Sequence, residues 1–217
     1  MRGLLRALVA ALALTTFACP ADDSAASKFQ EGKEFKSVTV ASRPVDPKRI
    51  TVEEFFWYGC PHCFHLDPDI TAWSEKKAPD VDFIRIPATL GRPEGIIHQK
   101  TFYTAEVLGL GEKMHKPLFD AIHVEHKPLF TQEAIRDWMG TQFGVLPDVF
   151  DNTFKGFAVD SRVGKADALA KSYGILSVPT VVVGGKYQTN AQMAGGFPQM
   201  LDVINFLTDK VRKERKN

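Results

Sequence analysis

The sequence predicts an α/β fold: one mixed sheet covered on both faces by helices, with an all-helical subdomain inserted into it. Three observations lead there. Residues 35–86 read as strand, strand, helix, strand; residues 95–158 carry helical periodicity and no convincing strand; and residues 180–211 read as two strands and a last amphipathic helix. Strands mixed with crossover helices need both sheet faces covered, so the helical block must leave the sheet and return to it.

The chain begins with Met1-Arg2-Gly3 and Arg6, then an apolar run rich in Ala and Leu from Leu4 to Phe17, then small residues and Asp22-Asp23-Ser24. This is the order of a secretory signal peptide, with an apolar run too short for an ordinary spanning helix. Residues 1–26 are therefore expected to be the signal, a membrane-bound N-terminal anchor being the alternative. Cleavage after Ala18 is one option. Ala18-Cys19 also forms a weak lipobox that would leave Cys19 lipidated, with Thr16 and Phe17 a poor match, and a cut near Ala25 or Ala26 would remove Cys19. No later stretch approaches about 18 uninterrupted apolar residues. The composition of the 217-residue chain is that of an ordinary globular protein, and a formal charge of +1 offers no field for nucleic acid or an acidic substrate.

Phe35 to Ala41 alternates and reads as a first strand; Arg43-Pro44-Val45-Asp46-Pro47 is a loop. Ile50 to Tyr58, rich in β-branched and aromatic residues, is a clear strand. Pro61 opens a helix at the position where a missing N–H costs nothing, its stripe is Cys63, Leu66, Ile70 and Trp73, and Pro68 should kink it. Val81 to Ile86 is the next strand. Four helical patterns follow: one through Ile97, Thr101, Ala105 and Leu108; Met114 to Ile122, interrupted by Pro117; Gln132 to Phe143 with Thr131 as N-cap; and Pro147 to Phe157. Asp160 then caps a helix closed by Gly174. Thr180–Val183 and Lys186–Thr189 are joined by Gly184-Gly185, a hairpin signal. Pro198 to Val211 is the last helix, and residues 212–217 are expected to be a solvated basic tail. The domains read as 27–94, 95–158 and 159–211.

Three cysteines are present, and Cys19 falls in or beside the signal, so the folded part keeps Cys60 and Cys63. Two residues apart, they close too small a ring to be a useful staple. In an exported chain such a pair suggests chemistry. A strand running into Gly59-Cys60-Pro61-His62-Cys63 and then a helix puts Cys60 at a helix N-terminus, where unpaired N–H groups and the helix dipole favour a thiolate. Cys63, one turn later, reaches Cys60 but lies deeper. Pro61 stiffens the turn, and His62 offers a donor or a positive charge beside Cys60. Stabilising the thiolate stabilises the reduced form and makes the disulfide an oxidant. A zinc site would need four ligands, and the sequence has no second C-x-x-C and no H-x-x-x-H.

At Cys60-Pro61-His62-Cys63 the chain resembles the thioredoxin superfamily, and this motif is similar to that of the DsbA family. Glu53-Glu54-Phe55-Phe56, Pro68 five residues past Cys63, Ser177-Val178-Pro179-Thr180 and Val183-Gly184-Gly185-Lys186-Tyr187 also resemble that family, over about residues 30–210. The resemblance implies a thioredoxin fold with an inserted all-helical subdomain and a low-pKa, oxidising cysteine pair. It implies a cis Pro179 that holds Val178 against the active site, where its backbone would pair with an extended substrate. Val178 resembles the DsbA choice, where reductive or isomerase relatives more often carry Thr. Glu54, on the strand face of Ile50, Val52 and Phe56, is expected to be a buried proton relay for Cys63, with Arg85 a candidate partner. His98, His115, His123 and His126 are read as surface or helix-packing residues. The chain departs from the pattern at Gly59, where an aromatic residue can directly precede the first cysteine; this removes one wall of a substrate groove.

The expected catalytic set is thus Cys60, Cys63, His62, Pro61, Pro179, Val178 and Glu54, with the Cys60–Cys63 disulfide as redox centre and no cofactor. The resemblance implies a periplasmic thiol:disulfide oxidase, acting on unfolded or folding exported proteins with free cysteines and reoxidised by a DsbB-like membrane quinone reductase; a monomer is expected only because it needs nothing extra. A disulfide isomerase or reductase of the same fold, or a periplasmic binding module, are the alternatives.

Overall fold

The computed structural model describes residues 28–38, 46 and 48–215. The expectations for the signal segment, its cleavage site, Cys19 and most of the 43–47 loop lie outside these residues. Among the described residues, five strands form one sheet in the order β1-β5-β4-β2-β3, and no helix is long and apolar enough to cross a membrane.

Among the described residues the first strand is β1, Lys36–Ser37, pairing with β5; positions 39–41 of the expected strand lie outside them. Strand β2 (Ile50–Phe56) lies inside the sheet between β4 and β3 and is buried on both faces, and five of its seven residues are β-branched or aromatic. It ends at Phe56 rather than Tyr58 because Trp57 to Cys60 turns, with the Cys60 N–H donating to the Trp57 carbonyl at 3.0 Å. Helix α1 (Pro61–Lys76) follows at once with Pro61 in its first turn and Pro68 inside it. Strand β3 (Val81–Pro87) then runs parallel to β2, placing Arg85 beside Glu54.

Five helices precede the next strand: α2 (Pro93–Val107), α3 (Gly111–His123), α4 (Gln132–Phe143), α5 (Pro147–Phe154) and α6 (Phe157–Ser172). Helix α3 runs straight through Pro117. Thr131 caps α4, its hydroxyl accepting from Ala134 N at 3.2 Å. The expected fourth helix stops at Phe154, and α6 is capped at Gly156 rather than Asp160. The chain turns so tightly there that a Cβ at Gly156 would lie 3.1 Å from the carbonyl oxygens of Asn152 and Thr153. The sequence boundary at 158 therefore falls inside α6.

Strands β4 (Thr180–Val183) and β5 (Tyr187–Thr189) pair antiparallel across Gly184 and Gly185, whose φ values of 60° and 67° give the hairpin turn its left-handed corner. A short helix unforeseen in the sequence, α7 (Ala191–Ala194), precedes α8 (Phe197–Glu214). The expected basic tail is corrected from residue 212 to Glu214: these residues are the last turn of α8. Val211 is buried, Arg212 grips the Asp80 carboxylate at 2.7 and 2.9 Å, and Lys210 pairs with Glu214 at 3.0 Å.

The alternation of β2 and β4 sorts the core. Ile50, Val52, Val181 and Val183 face α1 and α8, packing on Leu66, Ile70, Met200, Ile204 and Leu207. Phe55 and Val182 face the other way, toward Ala166 of α6, Tyr173 and Ile175. A third cluster joins Phe56, Tyr58 and both cysteines to Phe102, Met114, Phe119, Ile135 and Met139 of the helical insertion. The cysteine-bearing end of the sheet is thus roofed by the inserted helices.

Candidate active site

Cys60 is the N-cap of α1, in extended conformation with φ −93° and ψ 116°. Its sulfur therefore faces the unpaired N–H groups of the first turn. Cys63, one turn on, points inward. The two thiols are unlinked in this structure, and their surroundings are unequal: Cys60 is 9% exposed and Cys63 is 0% exposed. The hydrogen bond from the Cys63 thiol, the N–H groups of Cys63 and His62, and the charge of His62 together outweigh burial and lower the Cys60 pKa to about 6. Burial first, then the neighbouring Cys60 sulfur and Glu54, push Cys63 well above the ordinary thiol value. At neutral pH the dithiol thus holds a thiolate on the less deeply buried Cys60 and a thiol on Cys63 beneath it.

The opposite wall comes from the loop before β4. The Val178–Pro179 bond is cis, and the Val178 carbonyl lies 3.6 Å from the Cys60 sulfur. A shallow groove of about 300 Å³ runs beside it, lined by His62, Val178, Pro179, Asn190, Gln192 and Phe197. Asn190, Gln192 and Phe197 escaped the sequence reading; Gly195-Gly196, which breaks the chain just before Phe197, was the available signal. Gly59 proves to have a reason of its own: a Cβ there would lie 2.4 Å from the Trp57 ring. The Trp57 indole therefore occupies the space that a side chain at Gly59 would take, and the Arg92 guanidinium lies 5.1 Å from that ring.

Beneath the cysteines lies a buried polar chain. Glu54 is 2% exposed, and burial raises its pKa to about 7; Arg85 opposes this and the negative charge of Asp67 reinforces it. Arg85 Nε stands 3.5 Å from Glu54 Oε2, close enough to attract but not aligned for a hydrogen bond. Its Nη2 donates to Thr71 Oγ1 at 2.6 Å and to Asp67 Oδ1 at 3.3 Å. His115 Nε2 meets the same Asp67 oxygen at 2.9 Å, and Tyr58 Oη meets His115 Nδ1 at 2.9 Å. Burial alone would raise Asp67, but the His115 hydrogen bond and the Arg85 charge outweigh it and hold Asp67 below the usual carboxylate range. The sequence had placed Arg85 beside Glu54, but Asp67, Tyr58 and His115 were missed.

The other histidines are structural neighbours. Buried His98 bonds the Leu129 carbonyl through Nε2 at 2.7 Å, and burial lowers its pKa to about 4. His123 bonds the Tyr58 carbonyl at 2.7 Å and stacks on Phe64. Among the described residues, no group of three or more His, Cys, Asp or Glu side chains is placed to hold a metal ion.

Comparison with known proteins places this arrangement in context. A sequence model of the DSBA-like thioredoxin domain matches residues 51–201. The chain is 39% identical to the thiol:disulfide interchange protein DsbA of Pseudomonas aeruginosa, over 100% of both chains. It is 40% identical to that of Pseudomonas syringae, over 88% of this chain and 89% of the other. The crystal structure of the Pseudomonas aeruginosa protein superposes with a TM-score of 0.82 at 38% identity, covering 88% of this chain and 99% of that one. DsbA from Xylella fastidiosa superposes with a TM-score of 0.76 at 30% identity, covering 84% and 97%.

Proposed function

The chain belongs to the DSBA-like thioredoxin domain family of thiol:disulfide oxidoreductases, and from that premise we propose that it works as an oxidase, passing the Cys60–Cys63 disulfide to cysteine pairs of exported proteins in the periplasm. The observation that carries this direction is the inequality of the two sulfurs. A Cys60 thiolate with a pKa of about 6 favours the reduced form of the pair, and a disulfide whose reduced form is favoured gives itself up readily.

The steps follow from the geometry. A client thiolate attacks Cys60, the more accessible sulfur of the disulfide. The Cys60–Cys63 bond breaks, and its electron pair leaves with Cys63. Cys63 takes a proton because burial makes its thiolate costly. Glu54, whose pKa of about 7 lets it hold or release a proton at neutral pH, serves as the relay. The client's second thiol, as thiolate, then attacks the client sulfur of the mixed disulfide, and Cys60 departs as thiolate. Two electrons and one proton stay on the enzyme, and the other client proton goes to solvent. Val178 presents its carbonyl beside Cys60 to receive an extended client segment by strand-like pairing. Pro61 and Pro179 hold the two walls, and His62 favours the Cys60 thiolate. A membrane quinone reductase of the DsbB kind accepts the two electrons and restores the disulfide. The sulfur pair is itself the redox centre of this scheme.

The test is the equilibrium of the Cys60–Cys63 pair with glutathione, read through tryptophan fluorescence, Trp57 lying three residues before Cys60. The expected potential is well above the value of about −270 mV typical of thioredoxin. A potential near that value would overturn the oxidase assignment in favour of a reductase.

A further inference from the structure

Two buried carboxylates, Glu54 and Asp67, flank one guanidinium, Arg85. A low-dielectric site with two acids and one base favours one shared proton, because the second negative charge lacks a partner. Which acid carries that proton is decided by hydrogen bonds: a carboxylate that receives donors stays ionised. The distribution here is lopsided. Asp67 Oδ1 receives His115 Nε2 at 2.9 Å, Arg85 Nη2 at 3.3 Å and, more weakly, Thr71 Oγ1 at 3.4 Å. Glu54 Oε2 is buried with no hydrogen bond.

The shortest of the three bonds to Asp67 comes from His115, and its direction is fixed by its neighbours. Burial lowers the His115 pKa and raises that of Tyr58 well above its usual value, so both are neutral. Asp67 can only accept, so the imidazole proton is on Nε2. Nδ1 then accepts from the Tyr58 hydroxyl. The groups facing this chain are Glu54 on β2, Tyr58 beyond it, Cys63 and Asp67 on α1, Arg85 on β3, Glu106 on α2, Glu112 on α3, and Arg162 and Lys165 on α6, which line one cavity with Arg85 and His115.

We propose that His115 is a positioning residue that keeps Asp67 ionised and thereby places the shared proton on Glu54, the acid nearer in charge coupling to Cys63. This deepens the thiol–disulfide reading by naming the residue that poises the relay beneath the resolving cysteine. His115 touches neither sulfur nor client. It acts through Asp67 and Arg85.

The experiment is a pH titration of the side-chain carboxyl carbons by NMR in the reduced, isotopically labelled protein. In the parent, the Glu54 carbon is expected to shift near neutral pH while the Asp67 carbon stays at its anionic position far into acid. The reverse assignment would overturn the proposal without any variant. In His115→Leu, the Asp67 carbon is expected to titrate upward and the Glu54 midpoint to fall by about one unit or more. Unchanged midpoints would reduce His115 to packing. His115→Gln keeps an amide donor for Asp67 and an acceptor for Tyr58, so it should restore the parental titration; a Gln variant that behaves like Leu also overturns the proposal. These readouts need no oxidase activity, so a reductive potential would sink the oxidase reading and leave the proton assignment standing.

Discussion

Glu54→Gln is expected to stabilise the reduced protein above neutral pH and to do little in acid. In the unfolded chain a glutamate titrates near 4.5, and in the fold Glu54 does so at about 7. The folded state therefore binds more protons between these values, and stability falls as pH rises through that window. A separation of about 2.5 units at 1.36 kcal/mol per unit gives a penalty of about 3 kcal/mol, complete above pH 7 and absent below 4.5. Burial is nearly total, so solvent does not screen it away. Glutamine keeps the shape and cannot ionise. Urea denaturation of both proteins at about pH 5 and about pH 8.5 should show the midpoints close together in acid and well separated in base. A gain that is the same at both pH values, or larger in acid, would refute the reasoning.

Replacing His62 by Leu removes a charge beside Cys60. The Cys60 pKa should rise from about 6 by about one unit, measured by thiolate absorbance against pH, and the potential should fall by about 30 mV. Gly184→Ala forces a Cβ onto a left-handed residue and to 2.8 Å from Val211, so denaturation should show a loss of about 2–4 kcal/mol. Thr131→Ala deletes the cap of α4 and should lower stability by about 1 kcal/mol in the same assay.

The parts of this molecule that could be read from sequence are those whose cause is local. Strand β2, the turn through Cys60-Pro61-His62-Cys63 and helix α1 are set by neighbouring residues, as is the Gly184-Gly185 hairpin. The break at Gly156 was read a few residues late, between Phe157 and Asp160, because helical periodicity continues on both sides of it. The expected tail at Arg212 became helix because its partner, Asp80, lies far away in sequence. The same distance hid the polar chain under the cysteines. Asp67 sits between Leu66 and Pro68 like any helix-surface acid, and His115 like any packing histidine. Only the meeting of α1, β3 and α3 makes them one system.

That system has a consequence in time. The two cysteines lie early in the chain, yet the carbonyl beside Cys60 and much of the polar chain beneath the pair come from residues 85, 115 and 178. A polypeptide that emerges N-terminus first presents Cys60 and Cys63 long before Val178 exists beside them. Until then the pair lacks that wall and that polar chain and is open to any oxidant it meets. The completed site is therefore acquired only when the strand following the helical insertion docks back onto β2.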